Sequence, residues 1–165
     1  MISLLAPLGP KIIGVNRKGG AVDGCSKVIT VDKIDSILPE ADILYLALPE
    51  TPRTKNLINL KRLDLLKPSC GIVNIWRQST KDYDALCEKL KTNKIAGSIL
   101  DVFTPEPIKP NSKLWEVPNL IITPHVSADD GESYVRLTLD LFIKNLQLFI
   151  SNKKVANQID KDFGY

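Results

Sequence analysis

Short apolar runs alternate with amphipathic segments along this 165-residue chain. Five of the runs have the length and the β-branched content of buried strands, and they cover residues 11–15, 43–48, 71–75, 95–100 and 120–123. Most of them lack polar alternation, which is typical of parallel strands covered on both faces. Helical signals lie between and after them, at residues 33–38, 60–66, 82–92 and 132–150. This alternation predicts an α/β fold with a doubly wound parallel sheet.

The last predicted helix carries two apolar stripes. The first stripe consists of Val135, Leu139, Phe142, Leu146 and Phe149, and the second of Leu137, Leu141 and Leu148. A helix that is apolar on two sides needs cover on two sides. We therefore expect another domain or another subunit to pack against it.

The composition is typical of a globular protein, and it argues against several classes of partner and site. Hydrophobic residues make up 44% and charged residues 25% of the chain, and the formal net charge is +3. The lysines are scattered among apolar positions, so neither nucleic acid nor a membrane is expected as a partner. The three cysteines have no C-x-x-C spacing, which argues against a disulfide framework and against a zinc site. With no signal-peptide pattern and no apolar run of membrane-spanning length, we expect reduced thiols and a cytoplasmic location.

Candidate chemistry lies directly after the predicted strands. Doubly wound sheets bind ligands at the carboxyl ends of their strands, where this sequence places Arg77, Asp101, Glu106 and His125. His125 is the only histidine, and imidazole, with an ordinary pKa of about 6.5, can donate and accept a proton at neutral pH. Glu106 could stabilise the imidazolium, and Arg77 could bind a substrate carboxylate through two hydrogen bonds. Such a set suits the reduction of a 2-oxo acid.

Each of these residues also has a purely structural interpretation. A histidine after a strand can be a satisfied structural residue, an arginine at a helix N-terminus can be a surface charge, and Asp101 can cap a turn. Spacing alone leaves both interpretations open.

Four longer motifs are more specific than these single residues. They are ADILYLALPETPRTKNLIN, LLKPSCGIVNIWRQSTKDYDAL, KIAGSILDVFTPEPIKPNSKLWEVPNLIITPHVSA and the closing helix. Through them the chain, from about Ala6 onward, resembles the nucleotide-binding domain of the D-isomer-specific 2-hydroxyacid dehydrogenases, and it is most similar to the glyoxylate and hydroxypyruvate reductases. The resemblance implies a Rossmann-like fold and hydride exchange between a nicotinamide cofactor and a small 2-oxo or 2-hydroxy acid.

The resemblance also implies roles for individual residues. His125 would be the proton donor, Glu106 its partner, and Arg77 the residue that binds the substrate carboxylate and carbonyl. Asp101 would position the nicotinamide carboxamide. Trp76 departs from the family pattern, since relatives carry a small residue there, and its indole could crowd the nicotinamide. The residues that would line the cofactor cleft are Leu48, Pro49, Thr54, Ile75 and Trp76.

The residues after the first visible strand favour NADP as the cofactor, with NAD as the alternative. NAD-preferring relatives have an acidic residue at this position, which bonds the ribose hydroxyls. Here Asn16 takes its place and is followed by Arg17 and Lys18. These two cations would bind the 2′-phosphate of NADP.

A glycine-rich phosphate loop is not recognisable in the chain. NRKGGAVDG follows a strand, but the next segment, CSKVITVD, has no helical period, whereas a phosphate loop leads into a helix. We therefore expect an N-terminal truncation, with the family's first strand and G-x-G-x-x-G loop preceding Met1. The missing strand would lie between the strands at 11–15 and 71–75. Residues 1–151 would form a partial NAD(P)-binding domain without the family's substrate domain, and 152–165 an irregular tail.

Such a truncation has consequences for stability and activity. Open strand edges predict that a lone monomer is unstable, aggregates, or pairs with another chain, as a homodimer or with a homologue. We also expect weak NADPH affinity and little or no turnover of glyoxylate or hydroxypyruvate. Two alternatives to catalysis stay open: a non-catalytic interaction or regulatory module, and the product of a pseudogene or an incomplete gene model. An upstream reading frame encoding a strand and the glycine loop would favour the ordinary enzyme.

Overall fold

The computed structural model of the chain describes residues 1–75, 82–128 and 130–161. The described residues form six strands, which are β1 (Ile13–Asn16), β2 (Lys27–Thr30), β3 (Ile43–Leu46), β4 (Gly71–Asn74), β5 (Gly97–Leu100) and β6 (Leu120–Ile122). The α-helices are α1 (Ile2–Leu5), α2 (Leu60–Leu63), α3 (Tyr83–Lys91) and α4 (Tyr134–Ile150). Shorter 3-10 helices occupy Ala6–Leu8, Val31–Ser36, Leu38–Glu40 and Lys113–Glu116.

All strand pairs are parallel, which confirms the predicted doubly wound architecture. β1 pairs with β2, and β3, β4, β5 and β6 form a second ladder in that order. In the second ladder Ile43 lies opposite Gly71, and Gly71 lies opposite Gly97. Parallel strands end at one edge of a sheet, so the loops that follow them meet there.

The order of the strands corrects the predicted position of the missing strand. β4 has neighbours on both sides, β3 on one and β5 on the other, so no strand can enter beside it. Among the described residues β1 pairs only with β2, and β3 only with β4. A doubly wound sheet of order 3-2-1-4-5-6 that lacks strand 1 has this arrangement. The unpaired sides of β1 and β3, which we call the open slot, are therefore the places where a further strand could pair. The prediction that placed the missing strand beside residues 71–75 was wrong.

Several element boundaries differ from the predictions for local reasons. β2 was not predicted as a strand, although the sequence excluded a helix there, and its residues 28–30 are all β-branched. The segment at 33–38 forms part of two 3-10 helices that are separated at Ile37, before Pro39. α4 begins at Tyr134 instead of 132, because the carboxylate of Asp130 accepts hydrogen bonds from the amides of Glu132 and Ser133.

One hydrophobic cluster packs α2 and α3 against the strands. The strands contribute Leu46, Ile72 and Leu100, while Leu63 of α2 and Leu86 of α3 are fully buried against them. The cluster also includes buried or half-buried residues from the β1–β2 side of the molecule, namely Val15, Val31, Ile34 and Leu38. Asp82 caps α3 as predicted, since its carboxylate accepts a hydrogen bond from the amide of Ala85 at 3.0 Å.

Helix α4 contributes no buried residue to this core. Nine of its large apolar side chains are 44–73% exposed, and they are Tyr134, Val135, Leu137, Leu139, Phe142, Ile143, Leu146, Phe149 and Ile150. The whole chain exposes 11542 Å². A compact monomer of 18.3 kDa would expose about 8,100 Å² by the usual scaling with mass. The excess surface agrees with the expectation that this helix needs further cover. No helix in the described ranges combines the length and hydropathy of a membrane span.

The open slot makes a prediction for amide hydrogen exchange. In β3, which is paired on one side only, about half of the amides point away from the ladder, whereas β4 is paired on both sides. We expect alternate amides of β1 and β3 to exchange at least about 100-fold faster than those of β4. Hydrogen exchange followed by NMR measures this directly. Equal protection of every amide in β3 and β4 would contradict an open slot.

Candidate active site

Most of the predicted site residues follow the carboxyl ends of parallel strands. Asn16 ends β1, and Arg17 and Lys18 follow it; Leu48, Pro49 and Thr54 follow β3; and Ile75 follows β4. Asp101 and Glu106 follow β5, and His125 follows β6. Trp76 and Arg77 lie outside the described residues. The predicted acid/base pair thus comes from neighbouring strands, while the basic residues stand at the end of the separate β1–β2 ladder.

His125 and Glu106 are in direct contact. Nδ1 of His125 lies 2.8 Å from Oε2 of Glu106, and the two side chains are 49% and 35% exposed. The second carboxylate oxygen, Oε1, accepts a hydrogen bond from the amide of Phe103 at 2.6 Å. The hydrogen bonds from His125 and Phe103 lower the pKa of Glu106, so this carboxylate is ionised at neutral pH. With Nδ1 engaged by Glu106, Nε2 is the ring nitrogen that can face a substrate.

The carboxylate of Asp101 is buried under the loop that carries His125. Its Oδ1 accepts from the hydroxyl of Thr123 at 2.5 Å and from the amide of Val126 at 2.9 Å. Its Oδ2 accepts from the amide of Ser127 at 2.9 Å. Burial raises the pKa of Asp101. The hydrogen bonds from Ser127, Thr123 and Val126 lower it by more, so the pKa falls from the ordinary 3.8 to about 2. Asp101 is therefore a fully bonded anion, 1% exposed, at the base of the loop.

His125 itself has a strained backbone conformation. Its φ of +58° lies in the left-handed region, which costs a residue other than glycine roughly 1–2 kcal/mol. The amide of His125 donates to the carbonyl of Thr123 at 3.0 Å, and this bond closes the turn. The bonds from Asp101 to Val126 and Ser127 hold the other side of the same turn. Such strain persists only where the surroundings over-determine the conformation.

The basic turn after β1 is held by the side chain of Asn16. Its Oδ1 accepts from the amides of Lys18 at 2.9 Å and Gly19 at 2.7 Å, and its Nδ2 donates to the carbonyl of Gly20 at 3.3 Å. Gly19 has a φ of +68°, and a Cβ there would lie 3.1 Å from Cγ2 of Thr30. Asparagine and glycine thus both suit this tight turn, which presents the exposed residues Arg17 and Lys18 at the end of β1.

The turn after β3 is held by Thr54. Its hydroxyl donates to the carbonyl of Pro49 at 2.6 Å and accepts from the amide of Thr51 at 2.9 Å. Leu48 and Pro49 are half-buried beside it and offer an apolar surface at the sheet edge. Thr54 therefore shapes this part of the predicted cleft through the backbone.

Sequence reasoning missed the residues that support the acid/base pair. Thr123 and Ser127 contact Asp101, and the hydroxyl of Ser127 also donates to the carbonyl of Ile75 at 3.4 Å. The hydroxyl of Tyr83 donates to the carbonyl of Val102, directly after Asp101. Thr123 and Ser127 flank His125 in the run TPHVS, and this proximity was the only available signal for them.

The sequence also matches a known protein family. The family model for the NAD binding domain of D-isomer specific 2-hydroxyacid dehydrogenases matches residues 1–127. The chain belongs to this family. The resemblance identified from the sequence motifs is thereby confirmed.

Two relatives illustrate how much of a longer protein this chain matches. The chain is 36% identical over all 165 residues to an uncharacterised protein from the proB 3′ region of Corynebacterium melassecola, and it covers 54% of that protein. It is 38% identical over 129 residues to a glyoxylate reductase of Pyrococcus furiosus, a match that covers 78% of this chain and 38% of the relative. The chain thus spans about half the length, or less, of these curated relatives.

Solved structures of related proteins have the same fold. A D-isomer specific 2-hydroxyacid dehydrogenase of Xanthobacter autotrophicus, in complex with NADPH and MES, matches with a TM-score of 0.90 at 30% identity, over 98% of this chain and 65% of that chain. An NADPH-dependent glyoxylate/hydroxypyruvate reductase of Sinorhizobium meliloti, in complex with NADP and sulfate, also matches with a TM-score of 0.90, at 29% identity, over 99% and 52% of the two chains. The Rossmann-like fold is confirmed by both.

The low pKa of Asp101 predicts how stability depends on pH. Because the pKa falls from 3.8 to about 2 on folding, the unfolded chain binds more protons between these values, and the free energy of unfolding should rise from pH 2 to 4. This part of the pH dependence should be smaller in Asp101→Asn. Urea unfolding between pH 2 and 5 measures it, with the exposed Asp23→Asn as the control. An unchanged pH dependence in Asp101→Asn would contradict the low pKa.

Proposed function

We propose that this chain is the cofactor-binding and proton-transferring part of an NAD(P)-dependent 2-hydroxyacid dehydrogenase that reduces a small 2-oxo acid, of the glyoxylate or hydroxypyruvate type. The observation that carries the proposal is the 2.8 Å contact between His125 and Glu106 at the carboxyl edge of the parallel sheet. Family membership supports the reaction class, and the names of the relatives support the substrate class.

In this mechanism His125 is the acid of the reduction. A nicotinamide cofactor would supply a hydride to the carbonyl carbon of the 2-oxo acid when bound. Nε2 of His125 donates a proton to the carbonyl oxygen as it becomes a hydroxyl, and Glu106 holds the ring through Nδ1 and stabilises its charged form. Arg77, which lies outside the described residues, is proposed to bind the substrate carboxylate and carbonyl.

The residues at the sheet edge fit a nicotinamide dinucleotide. Leu48, Pro49 and Ile75 are half-buried and suit the faces of its rings. We propose NADP as the preferred cofactor, because Arg17 and Lys18 are exposed on a turn that Asn16 holds in place. Two cations at this point favour a 2′-phosphate, whereas ribose hydroxyls pair better with an acidic residue.

A second polypeptide is proposed to complete the molecule. The apolar face of α4 and the open slot both support pairing, as a homodimer or with a homologue, and they also favour the alternative role of a non-catalytic interaction module. We place this assembly in the cytoplasm, where free thiols such as Cys25, Cys70 and Cys87 stay reduced.

The acid/base proposal predicts the effect of replacing His125. We expect the chain alone to oxidise NADPH slowly with glyoxylate, and we expect His125→Gln to reduce that rate at least about 100-fold, since general acid catalysis contributes factors of 10²–10⁴. Absorbance at 340 nm under single-turnover conditions measures the rate. Lys153→Ala, at an exposed residue after α4, serves as the control. A rate that survives in His125→Gln would overturn the role of His125.

The cofactor proposal predicts binding of adenosine phosphates. 2′,5′-ADP carries the 2′-phosphate that 5′-AMP lacks, so their ratio of dissociation constants reports on the basic turn. Arg17→Ala or Lys18→Ala should lower this preference about tenfold, the loss of roughly 1.4 kcal/mol, and Lys153→Ala should not. Isothermal titration calorimetry or ligand-observed NMR measures both constants. Equal binding of the two nucleotides by the unmodified chain would argue against NADP.

The pairing proposal predicts concentration-dependent association. Sedimentation velocity should show the chain shifting to a larger species as its concentration rises. Leu139→Glu puts a charge on the apolar face of α4 and should weaken association at least about tenfold. Thr138→Glu, at the adjacent exposed position, is the matched control. A chain that stays monomeric at high concentration would argue against a homodimer.

A further inference from the structure

The carboxylate of Asp101 bonds only to the segment around the proposed acid, among the contacts described. The three donors to it are the hydroxyl of Thr123 and the amides of Val126 and Ser127. All three lie within two residues of His125 in the sequence. A carboxylate oxygen has about two acceptor positions, so Oδ1 is filled by these bonds, and Oδ2 accepts from Ser127.

Asp101 and Glu106 act on different parts of the same histidine. Glu106 contacts the imidazole ring at Nδ1, whereas Asp101 fixes the backbone on the C-terminal side of His125. The two carboxylates belong to one turn after β5, in which the amide of Phe103 holds Glu106. The position of the ring relative to Glu106 therefore depends on a backbone that would otherwise relax from its left-handed conformation.

We propose that Asp101 is a positioning residue for His125: its buried carboxylate fixes the turn at residues 123–127 so that Nδ1 of the imidazole meets Glu106 and Nε2 faces the substrate. This differs from the contact with the nicotinamide carboxamide that the family resemblance implied, which stays a prediction. The consequence for catalysis rests on the proposed function, but the positioning itself does not. It can be tested without any turnover.

His125 is the only histidine in the chain, so its imidazole is a unique NMR probe. In the untagged chain at pH 8.5, long-range ¹H–¹⁵N spectra should show the Nδ1–H tautomer, because Nδ1 donates to Glu106. Asp101→Asn puts an amide donor against the amides of Val126 and Ser127. We expect the preference for the Nδ1–H tautomer to be lost, with the ¹⁵N shifts of the two ring nitrogens moving toward each other.

Asp130→Asn is the matched control. Asp130 also accepts hydrogen bonds from two amides and a serine hydroxyl of its own turn, but this turn precedes α4 and does not hold His125. The His125 spectrum should be unchanged in this variant. If Asp101→Asn keeps its fold and retains the Nδ1–H tautomer, the positioning role is overturned, whatever the outcome of the activity assays.

Thr123→Val provides a milder test in case Asp101→Asn does not fold. This variant removes one of the donors to Asp101 and keeps the shape of the side chain. We expect a smaller shift of the ring nitrogens in the same direction. An unchanged spectrum in folded Thr123→Val would also overturn the proposal.

Discussion

The buried anion of Asp101 is the interaction on which the rest of the site depends. The Asp101 carboxylate can be 1% exposed because donors from a single loop make the hydrogen bonds that water would otherwise make to it. These hydrogen bonds link the end of β5 to the loop after β6. They also explain why a residue other than glycine adopts a left-handed conformation at position 125.

Asp101 is connected to the imidazole of His125 through Glu106 as well. The turn that begins at Asp101 also carries Glu106, and Glu106 meets the ring of His125. Hydrogen bonds to charged groups are among the stronger ones, so the pair sets both the orientation and the tautomer of the imidazole. Parallel strands supply the geometry, since β5 and β6 are neighbours and end at one edge.

Much of this arrangement could be predicted from the sequence, for identifiable reasons. His125 and Glu106 follow adjacent apolar runs in specific motifs, so their proximity follows from the parallel sheet. Strand order was not accessible in the same way, because apolar runs such as β3 carry no signal for which neighbour they pair with. The slot was consequently placed beside β4 instead of beside β3. The bonds of Asp101 were also not predicted, since they come with a positive φ at His125 that the apolar pattern of the sequence does not indicate.

The central claim is that Nε2 of His125 faces a 2-oxo acid while Nδ1 stays bound to Glu106. Titration of the chain with oxamate, an analogue of glyoxylate, in the presence of NADPH tests this claim most directly, with the ¹⁵N resonances of the single imidazole as the readout. The account predicts a saturable shift of Nε2 with the Glu106 contact at Nδ1 retained. A shift confined to Nδ1, or an Nε2 resonance that does not respond at saturating oxamate, would contradict it.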